Sequence, residues 1–177
     1  MKNNFQANRR ANRSESTYKL AGTAILAALV MILQFFVIIP VGAFNITLTL
    51  VPIIIGAILF GAGSGAFLGF VFGGVVAIQV VTGSAGALST LMFKDYPFIT
   101  IALCILKGVM AGLLPGIING AMSKTKFNKL GTILSAISAP LVNTGIFVAG
   151  LYIFYSSLIN GFIADNGLAT TYADSFN

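Results

Sequence analysis

Long apolar runs separated by short polar breaks make up most of this chain. A helix that crosses a bilayer needs about 20 predominantly apolar residues. The first run, Leu20 to Ile39, meets that length and is closed by Pro40. A short polar stretch, GAFNITLT, follows from Gly42 to Thr49. The second run, Leu50 to Phe60, is short and is expected to begin slightly before Leu50. Gly61 to Gly65 reads as a tight turn, and the third run extends from Ala66 to Val81. A polar loop from Thr82 to Pro97 leads to the fourth run, Phe98 to Met122. A basic loop, Ser123 to Leu130, precedes the fifth, Gly131 to Leu158, and a polar tail closes the sequence from Ile159 to Asn177. The pattern predicts an all-α integral membrane protein, a helical bundle with five visible spans. It divides the chain into a disordered basic tail over 1–17, a transmembrane bundle over 18–160 and an extracellular polar segment over 161–177.

Composition narrows the class further. The chain of 177 residues is 57% apolar and only 8% charged, against roughly 25% charged for a soluble domain. Its mean hydropathy is +0.97. These values exclude a soluble globular domain and a disordered chain. There is no His, and Cys104 is the single cysteine. A disulfide scaffold, His-based catalysis and a zinc centre are therefore not expected. Cys104 reads as a small buried hydrophobe.

The charges set an orientation. Lys2, Arg9, Arg10, Arg13 and Lys19 precede the first span, and Lys124, Lys126 and Lys129 lie in the loop before the fifth. Five crossings with the N-terminus inside place these eight of the ten basic residues on the cytoplasmic side, as the positive-inside rule requires. Lys94 outside is offset by Asp95, and the tail carries Asp165 and Asp174. A basic tail also suits nucleic acid, but the hydrocarbon-loving remainder favours membrane topology and anionic-lipid contact. No nucleic-acid partner is expected. The first apolar run is long enough to span, and more follow, so it reads as a retained helix rather than a signal peptide.

Several residues interrupt the apolar background. Gly65, Gly69 and Gly73 are four apart, a spacing that lets helices approach closely, either within the chain or against a partner. Ala21, Ala24 and Ala28 leave a comparable small-residue strip on the first helix. Lys107 is the only charge inside a predicted span. A central lysine costs on the order of 2.5–3.5 kcal/mol on insertion scales, so it either snorkels to an interface or faces a cavity, a partner or an anionic ligand. Asn143 and Thr144 lie at membrane depth just after Pro140, which removes one backbone hydrogen bond. They suit a ligand site or an interhelical hydrogen bond. Gln79 is a weaker case of the same kind. Asn45, Thr47 and Lys94 lie in outer loops that serve either as connectors or as a lid over a cavity.

What is missing excludes other classes. The chain carries no Gly-rich phosphate loop ending in Lys-Ser/Thr, so it is not expected to hydrolyse ATP. No carboxylate lies in a span, which argues against a self-contained proton pump. No catalytic constellation, metal site or cofactor motif appears. A small membrane protein with a polar pocket fits this inventory. A structural or regulatory membrane subunit without a ligand fits it too.

The run NITLTLVPIIIGAILFG from Asn45 to Gly61, followed by GAFLGFVFG from Gly65 to Gly73, resembles the substrate-binding S components of energy-coupling factor (ECF) vitamin transporters. APLVNTGIF, from Ala139 to Phe147, resembles the fifth helix of one branch of that family. The resemblance covers roughly Thr17 to Tyr155 and is strongest for the pantothenate-specific group, with folate and hydroxymethylpyrimidine carriers as alternatives. It implies a six-helix bundle in the plasma membrane with both termini cytoplasmic. A sixth helix would then lie beyond the five seen here. The resemblance also implies capture of a water-soluble vitamin near the outer face, under a first loop that closes over it. Delivery would follow by association with a transmembrane coupling subunit, contacted through the Ala24 and Ala28 pair, and two cytoplasmic ATPases. Asn45, Thr47, Gln79, Lys94, Lys107, Asn143 and Thr144 are then the candidate substrate contacts. Lys107 or Lys94 would pair with the pantothenate carboxylate.

Overall fold

The computed structural model describes residues 2–36, 38–41, 44–123 and 128–155. Its elements in chain order are α1 (Lys2–Phe36), β1 (Ile38–Val41), β2 (Phe44–Thr47), α2 (Leu50–Phe60), α3 (Ala62–Val81), α4 (Ala87–Asp95), α5 (Pro97–Met122) and α6 (Asn128–Phe154). Among the described residues, four helices hold apolar stretches of membrane-crossing length: Glu15–Phe36, Ala62–Val81, Pro97–Met122 and Leu130–Phe154. At 1.5 Å per residue the shortest, of 20 residues, covers about 30 Å, the thickness of a hydrocarbon core.

The structure differs from the sequence reading mainly between the first two spans. α1 stops at Phe36, three residues before the expected end. Pro40 has no N–H to donate to the Phe36 carbonyl, so the last turn cannot continue. The chain then forms a two-stranded antiparallel hairpin in place of the expected polar stretch. Ile38 pairs with Thr47, and Pro40 with Asn45. The β-branched residues of this segment suit strands, and a two-stranded ribbon tolerates Pro40 because both strands are edges. β2 ends at Thr47, and α2 begins at Leu50 rather than upstream of it. Its 11 residues reach only about 16 Å, half a bilayer. The second expected crossing is thus a half-length helix preceded by a hairpin.

Other boundaries move less. The turn after α2 is Gly61 alone, with φ +94°, a conformation that L side chains avoid. The loop over 82–97 holds α4. The segment 1–17, read as disordered, forms the start of α1 from Lys2 onward. The segment 161–177 and the sixth helix implied beyond it lie outside the described residues.

α3 and α5 form the centre of the bundle. Gly65, Gly69 and Gly73 of α3 face Gly112, Gly108 and Cys104 of α5, backbone against backbone. A Cβ on Gly73 would lie 2.7 Å from the Cys104 carbonyl oxygen and 2.9 Å from the Ile105 Cα. The four-residue glycine spacing therefore serves packing within the chain. Around this seam, Ala27 and Val30 of α1, Ile53 of α2, and Leu68, Phe72 and Val76 of α3 make one buried cluster. Met92, Leu103, Leu151 and Tyr155 make a second, where α4, α5 and α6 meet. α1 turns Thr23, Ala27, Val30 and Gln34 inward, spaced four, three and four apart. It turns Leu20, Ile25, Leu29, Ile32 and Phe36 outward. Large apolar side chains on the outside are what a bilayer solvates.

Candidate functional site

Polar side chains inside the bundle concentrate at the end that carries the hairpin. α1 and α3 finish there, α5 starts there and α6 ends there. Three groups stand out, one of them deeper than the others.

The first group joins α1, α2 and α3. Gln34 Nε2 donates to Gln79 Oε1 at 2.8 Å, and Gln79 Nε2 donates back to the Gln34 backbone carbonyl at 2.9 Å. The Thr49 hydroxyl donates to Gln34 Oε1 at 2.8 Å. All three residues are buried. The Gln34 carbonyl belongs to the last turn of α1, where intrahelical donors run out. Gln79 supplies the missing donor from another helix. Its own carbonyl accepts Ser84 N–H at 2.8 Å, while Gly83 N–H, at φ +77°, donates to the Val80 carbonyl at 3.2 Å. That pair of bonds is a Schellman closure of α3.

The second group ties α4, α5 and α6. Thr100 Oγ1 lies 2.7 Å from the Tyr155 hydroxyl and donates to the carbonyls of Tyr96 and Met92 at 2.8 and 3.0 Å. Tyr155 also stacks edge-on against Tyr96, with centroids 5.7 Å apart.

The third group lies deeper: Lys107 is ten residues, about 15 Å, along α5 from Pro97. Every fourth residue of α6 turns toward the bundle: Ser135, Ala139, Asn143, Phe147, Leu151 and Tyr155 are each buried or half-buried. This stripe follows from the near-coincidence of four residues with one helical turn. α5 presents Thr100 and Lys107 to it, two turns apart. The Lys107 ammonium lies 4.6 Å from the centroid of the Phe147 ring, within range of a cation–π attraction. No ion pair holds it among the described residues. One turn from Phe147, the buried Asn143 Oδ1 has no hydrogen-bond partner there. Ser135 Oγ is in the same condition. A cation without a carboxylate and an acceptor without a donor are costly in a bundle interior. Lys107 and Asn143 thus stand on the same α5–α6 contact, each within a helical turn of Phe147.

The remaining candidates fall elsewhere. Thr144, next to Asn143, points outward with Leu141 and Val148, so the structure does not bring the two together. Lys94 is exposed at the end of α4. Asn45 and Thr47 occupy alternate positions of β2, opposite Pro40 and Ile38. Gln79 has its side-chain amide engaged with Gln34. Ala21, Ala24 and Ala28 are exposed on the outward side of α1. Asn119, read as structural, donates to the Ile58 carbonyl at the end of α2 at 3.3 Å. Sequence reasoning missed Gln34, Thr100 and Tyr155. The available signal for Gln34 was a lone amide in an otherwise apolar turn.

Comparison with known proteins adds two findings. The family model described as "ECF transporter, substrate-specific component" matches residues 18–173. The protein named "Pantothenic acid transporter PanT", from Lactococcus lactis subsp. cremoris (strain MG1363), is 29% identical over 161 residues, covering 82% of each chain.

Proposed function

The chain belongs to the substrate-specific component family of ECF transporters, and from that premise we propose that it captures pantothenate at the hairpin end of the bundle. The membrane would be the plasma membrane, with the basic N-terminal segment cytoplasmic. The loaded protein would deliver the vitamin by docking on a transmembrane coupling subunit powered by two cytoplasmic ATPases. Chemistry of its own is not required of such a subunit.

The observation that carries the choice of cargo is Lys107, the one interior cation among the described residues. Pantothenate presents one carboxylate, an amide and two hydroxyls. Lys107 offers the countercharge, and Asn143 Oδ1 offers an acceptor for an N–H or O–H one helical turn away. A charge-assisted hydrogen bond in such a place is worth about 1.5–3 kcal/mol. Neutral hydroxymethylpyrimidine gives Lys107 nothing to pair with. The similarity to a relative named for pantothenic acid points the same way. Lys94, Asn45 and Thr47 would then stand at the rim rather than at the bottom of the site. The outward alanine strip of α1 suits the coupling subunit, because small residues permit close approach of another helix.

Calorimetric titration of the detergent-purified protein against pantothenate, folate and hydroxymethylpyrimidine tests this reading. Submicromolar binding of pantothenate, with weak or no binding of the others, is the expected result. Tight binding of folate or hydroxymethylpyrimidine instead would reassign the cargo. A folded, monodisperse sample that binds none of the three would overturn ligand capture of this class.

A further inference from the structure

We propose that Phe147 is a positioning residue: its ring face holds the Lys107 ammonium in place without neutralising it, and so sets how tightly the site binds a carboxylate. This rests on the ligand-capture reading above and adds to it a residue that acts through the cation.

A lysine inside a bundle is ordinarily paired with a carboxylate. None of α2, α3, α5 and α6 carries an Asp or Glu. What faces Lys107 instead is the Phe147 ring, with its centroid 4.6 Å from Nζ. At that distance the negative face of the ring attracts an ammonium. The ring differs from a carboxylate in one respect. It brings no net charge, so the positive charge of the site stays available to a ligand. Lys107 and Phe147 are both half-buried, so neither is sealed off.

The register of the two helices fixes this contact. α5 and α6 run antiparallel and are pinned on both sides of Lys107. Toward their connection, Met122 Cβ lies 2.7 Å from where a Cβ would stand on Gly131. Toward the hairpin end, both Leu103 methyls lie 2.6 Å from where a Cβ would stand on Gly150. Beyond that, Thr100 Oγ1 and the Tyr155 hydroxyl are 2.7 Å apart. A slide of α6 by one turn would bring Leu103 from Gly150 onto Ile146 or Phe154, where the gap admits no side chain. Phe147 is therefore held level with Lys107.

The ring also decides the side from which a ligand approaches. Its face repels a carboxylate as it attracts an ammonium. The ligand carboxylate therefore meets Lys107 on the side away from Phe147, through the N–H donors that the ring leaves open. Without the ring, the ammonium swings on a flexible stem, and ordering it on binding costs affinity.

The test uses the full chain in detergent, with fluorinated phenylalanines built in at position 147. Fluorine withdraws charge from the ring face and barely changes its shape, so a purely structural role would not register it. Calorimetry reads the affinity for pantothenate and for pantothenol, the alcohol that lacks the carboxylate. A trifluorinated ring is expected to weaken pantothenate binding about fivefold, and a monofluorinated ring less. Phe147→Leu, which removes the ring, is expected to weaken it about tenfold. Pantothenol affinity is expected to stay within about twofold on trifluorination, because the ring acts through the charge pair. In a Lys107→Met background, trifluorination is expected to change pantothenate affinity less than about twofold, since the cycle isolates the ring–cation pair. Unchanged or tighter pantothenate binding on trifluorination overturns the proposal. So does an equal loss for both ligands. If the parent protein binds no pantothenate, the capture reading falls and this proposal with it. A parent that binds while fluorination does nothing leaves capture standing and removes Phe147 alone.

Discussion

Replacing one glycine on α3 should destabilise the protein, while replacing another five residues away should not. Gly69 lies against α5, where a Cβ would collide with the Gly108 carbonyl oxygen. It would also approach the Gly108 carbonyl carbon to 2.8 Å and Val109 Cα to 3.2 Å. All three are backbone atoms, so no side chain can rotate away, and α3 and α5 must separate along their shared seam. Overpacking of this kind costs about 1–3 kcal/mol. For a chain of this size each kcal/mol shifts the melting temperature by about 2–4 °C, so Gly69→Ala should melt about 2–12 °C lower. Gly74, in the same helix, has nothing within 4 Å of a built Cβ. Gly74→Ala should gain about 0.4–1 kcal/mol from helix preference and reduced freedom of the unfolded chain. The two variants should therefore shift in opposite directions. The protein carries its own reporter, since Cys104 is its single cysteine and is buried on this seam opposite Gly73. A thiol-reactive fluorophore will label it as the seam opens, and the midpoint on heating gives the shift. A Gly69→Ala midpoint equal to or above the parent's would refute the packing argument. Equal losses in both variants would refute it too.

Lys107→Met should weaken pantothenate binding tenfold or more, the equivalent of about 1.4 kcal/mol or more, with calorimetry as the readout. Its effect on pantothenol, which lacks the carboxylate, should be smaller, and an equal loss for both would detach Lys107 from the carboxylate. Thr144→Val, on the outward face of α6, should leave pantothenate affinity within twofold in the same titration. Tyr155→Phe removes the hydroxyl that lies 2.7 Å from Thr100 Oγ1. A net hydrogen bond of about 1 kcal/mol corresponds to a melting temperature about 2–4 °C lower, and a midpoint equal to the parent's would show that this bond adds nothing.

The spans were legible because lipid-facing helices need only length and apolarity, which a sequence displays directly. The glycine seam was half legible. Gly65, Gly69 and Gly73 announce themselves by spacing, but the choice between an internal and an external partner depended on where Gly108 and Gly112 fall in the packed bundle. The hairpin was hidden. Ile38 and Ile39 extend an apolar run and carry no periodicity of their own, and the effect of Pro40 reaches back four residues to Phe36. Asn143 and Thr144 looked equivalent as neighbours. Consecutive helical residues point about 100° apart, so one faces α5 and the other faces outward, and only the packing says which. Gln34 was missed because its meaning lies in Gln79, distant in sequence and adjacent in space.

The exchange between Gln34 and Gln79 also bears on how the chain is made. Hydrocarbon offers no donor to a bare carbonyl. As the first span enters the membrane, its final turn is chemically incomplete, and the residue that completes it belongs to the third. Until α3 arrives, water or headgroups must stand in at that end of α1. The first helix inserted is therefore among the last to be finished, and its place is sealed only when a later segment of the chain comes to rest beside it.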